Sequence, residues 1–388
     1  MICRHFGVCG GCLYLNLPYE EELRGKKDGL VEVLGEHGRL LEHVIPSPKP
    51  LQYRNKMELA FGDDKLGGEL TLGIRKKRSM YEVATVDECV LVSDEFKTVA
   101  RVAMDYFRRT GEKFFHRKKH TGSLRHLTIR RGEFTGEVLV MLSAASSLTA
   151  ELDILIDELK IACPNLVGFL HAVNDGVSDV VKTEDVRVLY GRDYYNERLL
   201  GLDFEVAINA FFQTNSSGAE ALYATVRDFA KESIFNKLAM DLYCGTGTIA
   251  RIVSPYFEKV VGIELTPEAI ESAKCMAGTN CEFYAGDVVK LIQSKDFGKP
   301  DVVILDPPRN GLHPKLVPKL AELGPVKIIY VSCKPTSLAR DIPLLKEFGY
   351  EPVNIKAVDM FPRTPHVEAI VLLQRESTMN PRAMPWDN

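Results

Sequence analysis

The sequence predicts an α/β protein built from two modules, an N-terminal α+β module over residues 1–208 and a C-terminal parallel-sheet domain over residues 209–388. Its 388 residues exceed what one ordinary core holds. After about residue 208, short apolar strands alternate with helical segments, which is typical of a parallel sheet covered on both faces. Before that point, alternating β-branched segments indicate antiparallel strands.

The first module is expected to contain helices over Leu23–Gly35 and Ser147–Ile161. Its strands are expected where β-branched residues alternate with polar ones: Arg54–Phe61, Leu70–Ile74, Leu124–Arg131, Glu137–Leu142, Val167–Val173 and Asp179–Val181. In the second module, the strands are expected over apolar runs: Ala239–Tyr243, Val260–Glu264, Val302–Leu305, Lys327–Val331, Ile355–Met360 and Glu368–Gln374. Residues 376–388 are polar and are expected to fray.

Composition narrows the class of protein. No apolar run approaches the roughly 18–20 residues of a membrane span, and the N-terminus lacks a secretory pattern, so we expect a cytoplasmic protein. Nine cysteines are an odd number and argue for metal binding or catalysis rather than a disulfide framework. The net charge is −4, yet residues 97–131 contain eleven Lys and Arg against two Asp and Glu. Such a run fits a phosphate-binding surface or a merely solvated face.

A glycine turn lies between two elements of the second module. The segment from Asp241 to Gly247 contains Gly245 and Gly247, which let the backbone approach a ligand closely. Glu264 ends the next strand, where a carboxylate accepts hydrogen bonds from a ribose diol. Asp287 follows the strand after it and is a candidate partner of an adenine amino group. The spacing is nearer to S-adenosylmethionine sites than to dinucleotide sites, although an ordinary strand–turn–helix also carries such glycines.

Three reactive side chains are expected at the same sheet edge. Asp306 follows a strand and is held by two prolines, and Arg309 stands where amino-group methyltransferases favour an aromatic residue. Cys333 ends the next strand; it fits a small core residue or a nucleophile, whose pKa Lys334 would help to lower. Glu368 opens the last strand after a proline-stiffened loop and is expected to be buried and functional.

These groups suit methylation of carbon 5 of a pyrimidine. That carbon is a poor nucleophile until a thiolate adds to carbon 6. A general base must then remove the carbon 5 proton so that the cysteine leaves, and Cys333 and Glu368 fit these two roles. A stacked target base must also be flipped out to be reached.

At this point the chain resembles the RNA uracil-5-methyltransferases, which act on transfer RNA and on 23S ribosomal RNA. The resemblance covers nearly the whole chain. It rests on these motifs: Cys3-x5-Cys9-x2-Cys12, Tyr53-Arg-Asn-Lys56, Phe211-Phe-Gln-Thr-Asn215, Asp241-Leu-Tyr-Cys-Gly-Thr-Gly247, Asp306-Pro-Pro-Arg309, Val331-Ser-Cys333 and His366-Val-Glu368.

The resemblance implies a Rossmann-like methyltransferase domain that binds S-adenosylmethionine and places a nucleophile at Cys333 and a base at Glu368. Phe211 would stack on the uracil, and Asp306 would bind its edge. The residues that would bind the cofactor are Gln213, Tyr243, Gly245, Glu264, Asp287 and Asp306. The Pro-Pro pair after Asp306 favours uracil, since a relative that methylates cytosine carries Pro-Cys there.

The iron–sulfur branch of this family implies a [4Fe–4S] cluster on Cys3, Cys9, Cys12 and Cys89. Zinc is the rival, but zinc sites usually pair two C-x2-C units. Several relatives begin with a small RNA-binding β-barrel, which is not expected here because the first cluster cysteine is residue 3. That layout favours 23S ribosomal RNA over transfer RNA as partner.

The RNA contact is expected on the basic segment 97–131, with Phe107, Phe114, Phe115 and His116 as stacking side chains. We expect a monomer that binds neither DNA nor membrane. Two other classes compete. A radical iron–sulfur enzyme is disfavoured by the missing C-x3-C-x2-C spacing. A non-catalytic RNA-binding protein is disfavoured by the intact Asp306, Cys333 and Glu368.

Overall fold

The computed structural model describes residues 3–65, 67–177, 185–232 and 236–375. The strand expected over Asp179–Val181 and the tail 376–388 lie outside these ranges. The chain forms two compact units, one comprising the residues up to Pro18 with Lys49–Ser217, the other Tyr19–Pro48 with the residues from Gly218 onward. The predicted division at residue 208 placed segment 19–48 in the first module, whereas the structure groups it with the second unit.

The helices and strands are numbered in chain order within the described ranges. The α-helices are α1 Tyr19–Leu34, α2 Asp94–Thr110, α3 Leu152–Ala162, α4 Ser216–Lys231, α5 Thr248–Val253, α6 Pro267–Cys275, α7 Val288–Ser294, α8 Leu316–Leu323 and α9 Pro335–Lys346. The strands are β1 Leu41–Ile45, β2 Lys56–Asp63, β3 Leu70–Arg75, β4 Val83–Ala84, β5 Leu124–Arg131, β6 Val138–Ala144, β7 Leu166–Val173, β8 Val186–Gly191, β9 Tyr194–Leu199, β10 Leu202–Ala207, β11 Leu238–Leu242, β12 Lys259–Glu264, β13 Cys281–Ala285, β14 Val302–Leu305, β15 Lys327–Ser332, β16 Tyr350–Val358 and β17 Glu368–Arg375.

The first unit contains a sheet of order β4-β3-β2-β5-β6-β7-β8 and a hairpin of β9 and β10. Its pairs are antiparallel except β6 with β7, which α3 connects as a crossover. Helix α2 buries one stripe, with Phe96, Val99, Ala103 and Phe107 at helical spacing, and ends at Gly111 in the left-handed region. The expected antiparallel strands are therefore present.

The second unit contains a sheet of order β1-β16-β17-β15-β14-β11-β12-β13. Strands β11 to β15 run parallel, and β17 runs antiparallel to β15 and β16. The residues of β11, β14 and β15 are buried along their whole length, as a sheet covered on both faces requires. Strand β11 pairs with β12 on one side and β14 on the other, so the strand order reverses beside it, where open α/β sheets bind ligands.

Within the described ranges, no helix combines the length and the apolar character needed to cross a membrane.

Candidate active site

The turn between β11 and α5 is built from three left-handed backbone conformations. The φ angles are +67° at Tyr243, +54° at Gly245 and +76° at Gly247. A Cβ on Gly245 would meet no atom within 4 Å, whereas one on Gly247 would approach the ring of Phe283 to 2.7 Å. Gly247 thus lets the turn pack on the sheet, and Gly245 faces open space where a ligand fits.

Carboxylates follow the neighbouring strands at the same edge. Glu264 accepts backbone hydrogen bonds from Gly245 at 3.2 Å and from Thr266 at 3.0 Å, which fixes its direction beside the turn. Asp287 is exposed and caps α7 by accepting a hydrogen bond from the Lys290 backbone nitrogen at 2.9 Å. The structure therefore places both predicted cofactor carboxylates at strand ends beside the glycine turn.

Asp241 is a fully buried carboxyl at the start of this turn. It accepts a hydrogen bond from the Ala250 backbone nitrogen at 2.9 Å, so it ties β11 to α5. Burial, reinforced by the nearby Asp306, raises the pKa of Asp241 to about 8. Asp241 thus hydrogen-bonds to α5 after the glycine turn and interacts electrostatically with Asp306 at the end of β14.

Cys333 and Glu368 meet across two paired strands. Ser332, the last residue of β15, pairs with Ala369 of antiparallel β17, so the residue after β15 lies beside the first residue of β17. Glu368 is 4% exposed, and Cys333 is half-buried. Cys333 is therefore partly accessible to solvent, whereas Glu368 is shielded from it.

Burial and charge together set the proton affinities of this group. Burial, and then Glu368, raises the pKa of Cys333, while the Arg309 guanidinium lowers it. Burial, and then Asp306, raises the pKa of Glu368 to about 8, again against Arg309. Burial raises the pKa of Asp306 to about 7. The Arg309 guanidinium is thus a cation that lowers the pKa of the thiol, and the effect expected of Lys334 stays a prediction.

Side chains of α9 hydrogen-bond to the loop that carries Asp306 and Arg309. The Ser337 hydroxyl donates to the Arg309 carbonyl at 2.7 Å. Asp341, fully buried, accepts hydrogen bonds from the Leu312 backbone nitrogen and the Tyr330 hydroxyl, both at 2.7 Å. Sequence reasoning missed Asp341, although an acidic residue on the apolar face of a helix, beside Leu338 and Ile342, was a usable signal.

Phe211 and Gln213 belong to the first unit, where the segment around them is held by buried polar residues. Asn55 donates from Nδ2 to the Gln213 carbonyl at 2.9 Å, and Arg130 donates from Nε to the Ile208 carbonyl at 2.8 Å. Phe211 is 74% exposed, whereas Gln213 is buried. The ring of Phe211 is thus free to stack on a planar partner.

The four cysteines expected to hold a cluster are free thiols that lie within electrostatic reach of one another. Burial, and then Cys89, Cys9 and Cys3, raises the pKa of Cys12 to about 12. Cys12 packs with Tyr53 in a small hydrophobic cluster. Among the described residues, no three His, Cys, Asp or Glu side chains form a group able to hold a metal ion.

The basic segment 97–131 divides into a core part and a surface part. Phe107 is fully buried and packs edge-on against Phe61, so its expected role as a stacking residue for RNA is wrong. His116 stacks on Tyr81 with ring centroids 4.5 Å apart, and Phe114 lies beside them. Exposed lysines flank Phe114 and His116 in the chain: Lys113, Lys118 and Lys119.

Comparison with known proteins identifies relatives of this chain. A sequence profile described as tRNA (uracil-5-)-methyltransferase matches residues 287–376. An uncharacterized RNA methyltransferase from Clostridium tetani is 45% identical over 97% of this chain and 84% of its own length. Another from Bacteroides thetaiotaomicron is 35% identical over 96% of this chain and 87% of its own length.

A solved structure is similar over both units. The tRNA (uracil-54, C5)-methyltransferase of Pyrococcus abyssi, determined in complex with S-adenosyl-L-homocysteine, is 30% identical and has a TM-score of 0.78. The alignment covers 94% of this chain and 86% of that protein. On the strength of these matches and of the fold that carries them, the chain belongs to the RNA uracil-5-methyltransferase family and is an RNA methyltransferase.

Proposed function

We propose that this enzyme transfers a methyl group from S-adenosylmethionine to carbon 5 of a uridine in RNA, through a covalent bond between Cys333 and carbon 6 of the base. The observation that carries the proposal is the pairing of β15 with β17, which sets the Cys333 thiol beside the buried Glu368 carboxyl. A nucleophile and a base of raised pKa at one sheet edge suit a reaction that needs both.

The first step belongs to Cys333. Its thiolate forms a bond to carbon 6, and the electron pair of the carbon 5–carbon 6 double bond moves toward the carbonyl at carbon 4, so that carbon 5 becomes nucleophilic. Arg309 favours the thiolate, because its charge lowers the pKa of Cys333 against the effects of burial and of Glu368.

The second step belongs to Glu368. Once carbon 5 carries the methyl group, the carboxylate takes the carbon 5 proton. The electrons of that carbon–hydrogen bond restore the double bond, and the carbon 6–sulfur bond breaks to return the Cys333 thiolate. With a pKa of about 8, Glu368 lies close enough to neutrality both to accept this proton and to release it to solvent.

The edge formed by β11 to β13 fits the cofactor. S-adenosylmethionine, when bound, supplies the methyl group on a positively charged sulfur. Gly245 leaves open space above the turn, and Glu264 is oriented beside it by two backbone donors. Asp287, Tyr243 and Asp306 complete the proposed cofactor group of the second unit, and the role that the resemblance implies for Gln213, a residue of the first unit, stays a prediction. The relative from P. abyssi binds the demethylated cofactor, which supports this assignment.

The test is methyl transfer from labelled S-adenosylmethionine to RNA from a strain that lacks the enzyme. Label at carbon 5 of a uridine, lost in Cys333→Ala but kept in Cys275→Ala, is the expected result. Cys275 is an exposed cysteine of the same unit and serves as the matched control. Full turnover by Cys333→Ala would refute the covalent mechanism, and label at another atom would refute the proposed target.

The same experiment identifies the RNA. The family resemblance allows 23S ribosomal RNA or transfer RNA, and the family description and the P. abyssi enzyme support transfer RNA. Both RNAs are offered separately, and the modified position is mapped in each. RNA is proposed to contact the Tyr81–Phe114–His116 aromatic group with Lys113, Lys118 and Lys119, where stacking and phosphate attraction combine.

We also propose that Cys3, Cys9, Cys12 and Cys89 hold a [4Fe–4S] cluster. The packing of Cys12 and Cys89 in one small cluster supports it, together with the cysteine spacing that the family resemblance rests on. Anaerobically purified protein should contain about four irons per chain by this assignment. Cys89→Ser should lose them, and Cys275→Ser should keep them. Iron-free protein with unchanged stability would refute the cluster.

A further inference from the structure

Three buried charged side chains and a fourth that is partly buried lie together where α1 meets the loop between β16 and β17. Glu22 is 1% exposed, Lys26 5% and Asp359 0%. Arg363 contributes the fourth charge, with its Nη1 3.4 Å from the Glu22 carboxylate. Two cations face two anions, so the group, here called the buried quartet, is neutral overall.

Apart from the Lys26–Glu22 pair within α1, the contacts of the buried quartet join α1 to that loop. Lys26 Nζ donates to Glu22 and to Asp359, both at 2.7 Å, and to the Phe361 carbonyl at 3.3 Å. Glu22 also accepts a hydrogen bond from the Arg363 backbone nitrogen at 2.7 Å. The Tyr19 hydroxyl donates to the other oxygen of Asp359 at 2.9 Å. Helix α1 therefore contacts the first, third and fifth residues of the loop, which are Asp359, Phe361 and Arg363.

These contacts hold a loop whose backbone is strained at one residue. Arg363 has a φ of +69°, a left-handed conformation that costs about 1 kcal/mol or more for a residue with a side chain. The backbone hydrogen bond to Glu22 and the ring of Tyr19 beneath the guanidinium hold Arg363 in place. Five residues after Arg363, the loop ends at Glu368, the proposed base.

We propose that the buried quartet positions Glu368 for removal of the carbon 5 proton. This inference rests on the proposed function and deepens it. Glu22 and Lys26 come from a segment far from the catalytic strands in sequence, and they touch no reacting atom. They act through the loop, which leads directly into Glu368 at the start of β17.

The proposal separates two steps of the reaction. Addition of Cys333 to carbon 6 depends on β15, which the quartet does not contact in any described hydrogen bond or ion pair. Release of the adduct depends on Glu368 and hence on the loop. Disturbing the quartet should therefore slow release of the adduct more than addition of Cys333. If the quartet only stabilised the fold, the rates of both steps would fall in proportion to the amount of folded enzyme.

The test uses matched pairs on α1, each giving one buried and one more exposed residue the same change: Lys26→Met with Lys27→Met, and Glu22→Gln with Glu21→Gln. The full-length variants react with methyl-labelled cofactor and RNA from a strain lacking the enzyme. Adducts that survive denaturation are followed in time. We expect Lys26→Met to release its methylated adduct on the order of tenfold or more slower and to accumulate it. Lys27→Met and Glu21→Gln should behave as the parent.

Release at the parental rate by Lys26→Met and Glu22→Gln would overturn the inference alone. Should Lys26→Met fail to fold, the isosteric Asp359→Asn gives the same readout, because it removes one charge and keeps the shape. Absence of any adduct in the parent enzyme would overturn the proposed function as well, so the two failures are distinct.

Discussion

Pairs of carboxylates at the two ends of the sheet edge in the second unit have different surroundings. At the β11–β13 end, Glu264 and Asp287 accept hydrogen bonds from backbone nitrogens, which fix their directions. At the β14–β17 end, Asp306 and Glu368 lie in surroundings that raise the pKa of each toward neutrality. Oriented acceptors suit the holding of a ligand, and carboxyls poised near neutral pH suit proton transfer.

The largest effect is expected from replacing one carboxylate at each end. Glu368→Gln removes the proposed base, and turnover should fall by about 10²–10⁴-fold while the methylated adduct accumulates. Glu264→Gln removes a charged acceptor from the proposed cofactor site. It should weaken cofactor binding by about tenfold or more and leave release of the adduct unchanged. Calorimetry of cofactor binding and adduct trapping measure the two effects.

The division would be contradicted if Glu368→Gln weakened cofactor binding and Glu264→Gln slowed release of the adduct. Weak cofactor binding in Glu368→Gln with no adduct would place Glu368 at the cofactor end. Glu282, an exposed carboxylate on β13, provides a control, and Glu282→Gln should change neither quantity.

The nucleophile end should also show a distinctive pH dependence. Glu368 must be ionised to accept the proton, and its pKa is about 8, so the turnover rate should rise as the pH increases from 7 to 9. The pKa of Cys333 is raised as well, which adds to the rise in the same direction. Because Glu368 and Cys333 interact, the profile reports the pair rather than either group. A flat profile over this range would contradict the assigned roles.

A smaller effect on the pH profile is expected from replacing Arg309. It lowers the pKa of both Cys333 and Glu368, so Arg309→Gln should move the rising limb of the profile to higher pH. Lys334→Gln is the comparison variant, since Lys334 adjoins Cys333 in the chain. We expect it to move the profile less than Arg309→Gln does, because Arg309 also hydrogen-bonds to the thiol. Equal shifts in the two variants would mean that chain proximity, and not the loop after β14, sets the charge at the thiol.

Sequence reasoning succeeded where one local pattern decides the structure. The buried strands β11, β14 and β15 are uninterrupted apolar runs, and the residues that follow them must share one edge of a parallel sheet. It did not find β1, whose pairing of Leu41 with Ile355 joins distant parts of the chain. Helix α7, with seven residues, is too short for a clear helical period.

The site shows the same limit. The motif residues themselves were predictable, but the contacts that support them come from elsewhere in the chain. Asp341 reaches Leu312 from α9, and Lys26 reaches Asp359 from α1. Phe107 was misassigned because a basic segment hides the apolar stripe of α2 that buries it. Partner choice across long sequence separations is a property of packing, which single-sequence periodicity does not encode.

The smallest expected effect compares two glycines of the cofactor turn, both with positive φ. Gly247→Ala brings a methyl group against the Phe283 ring, so it should lower the free energy of unfolding by about 2–4 kcal/mol, from backbone strain and overpacking together. Gly245→Ala meets nothing within 4 Å and should cost only about 1 kcal/mol in backbone strain. Its methyl group instead enters the space assigned to the cofactor. Denaturant unfolding and cofactor titration should thus rank the two variants in opposite orders, and the same order in both measurements would mean that the turn is structural and the cofactor lies elsewhere.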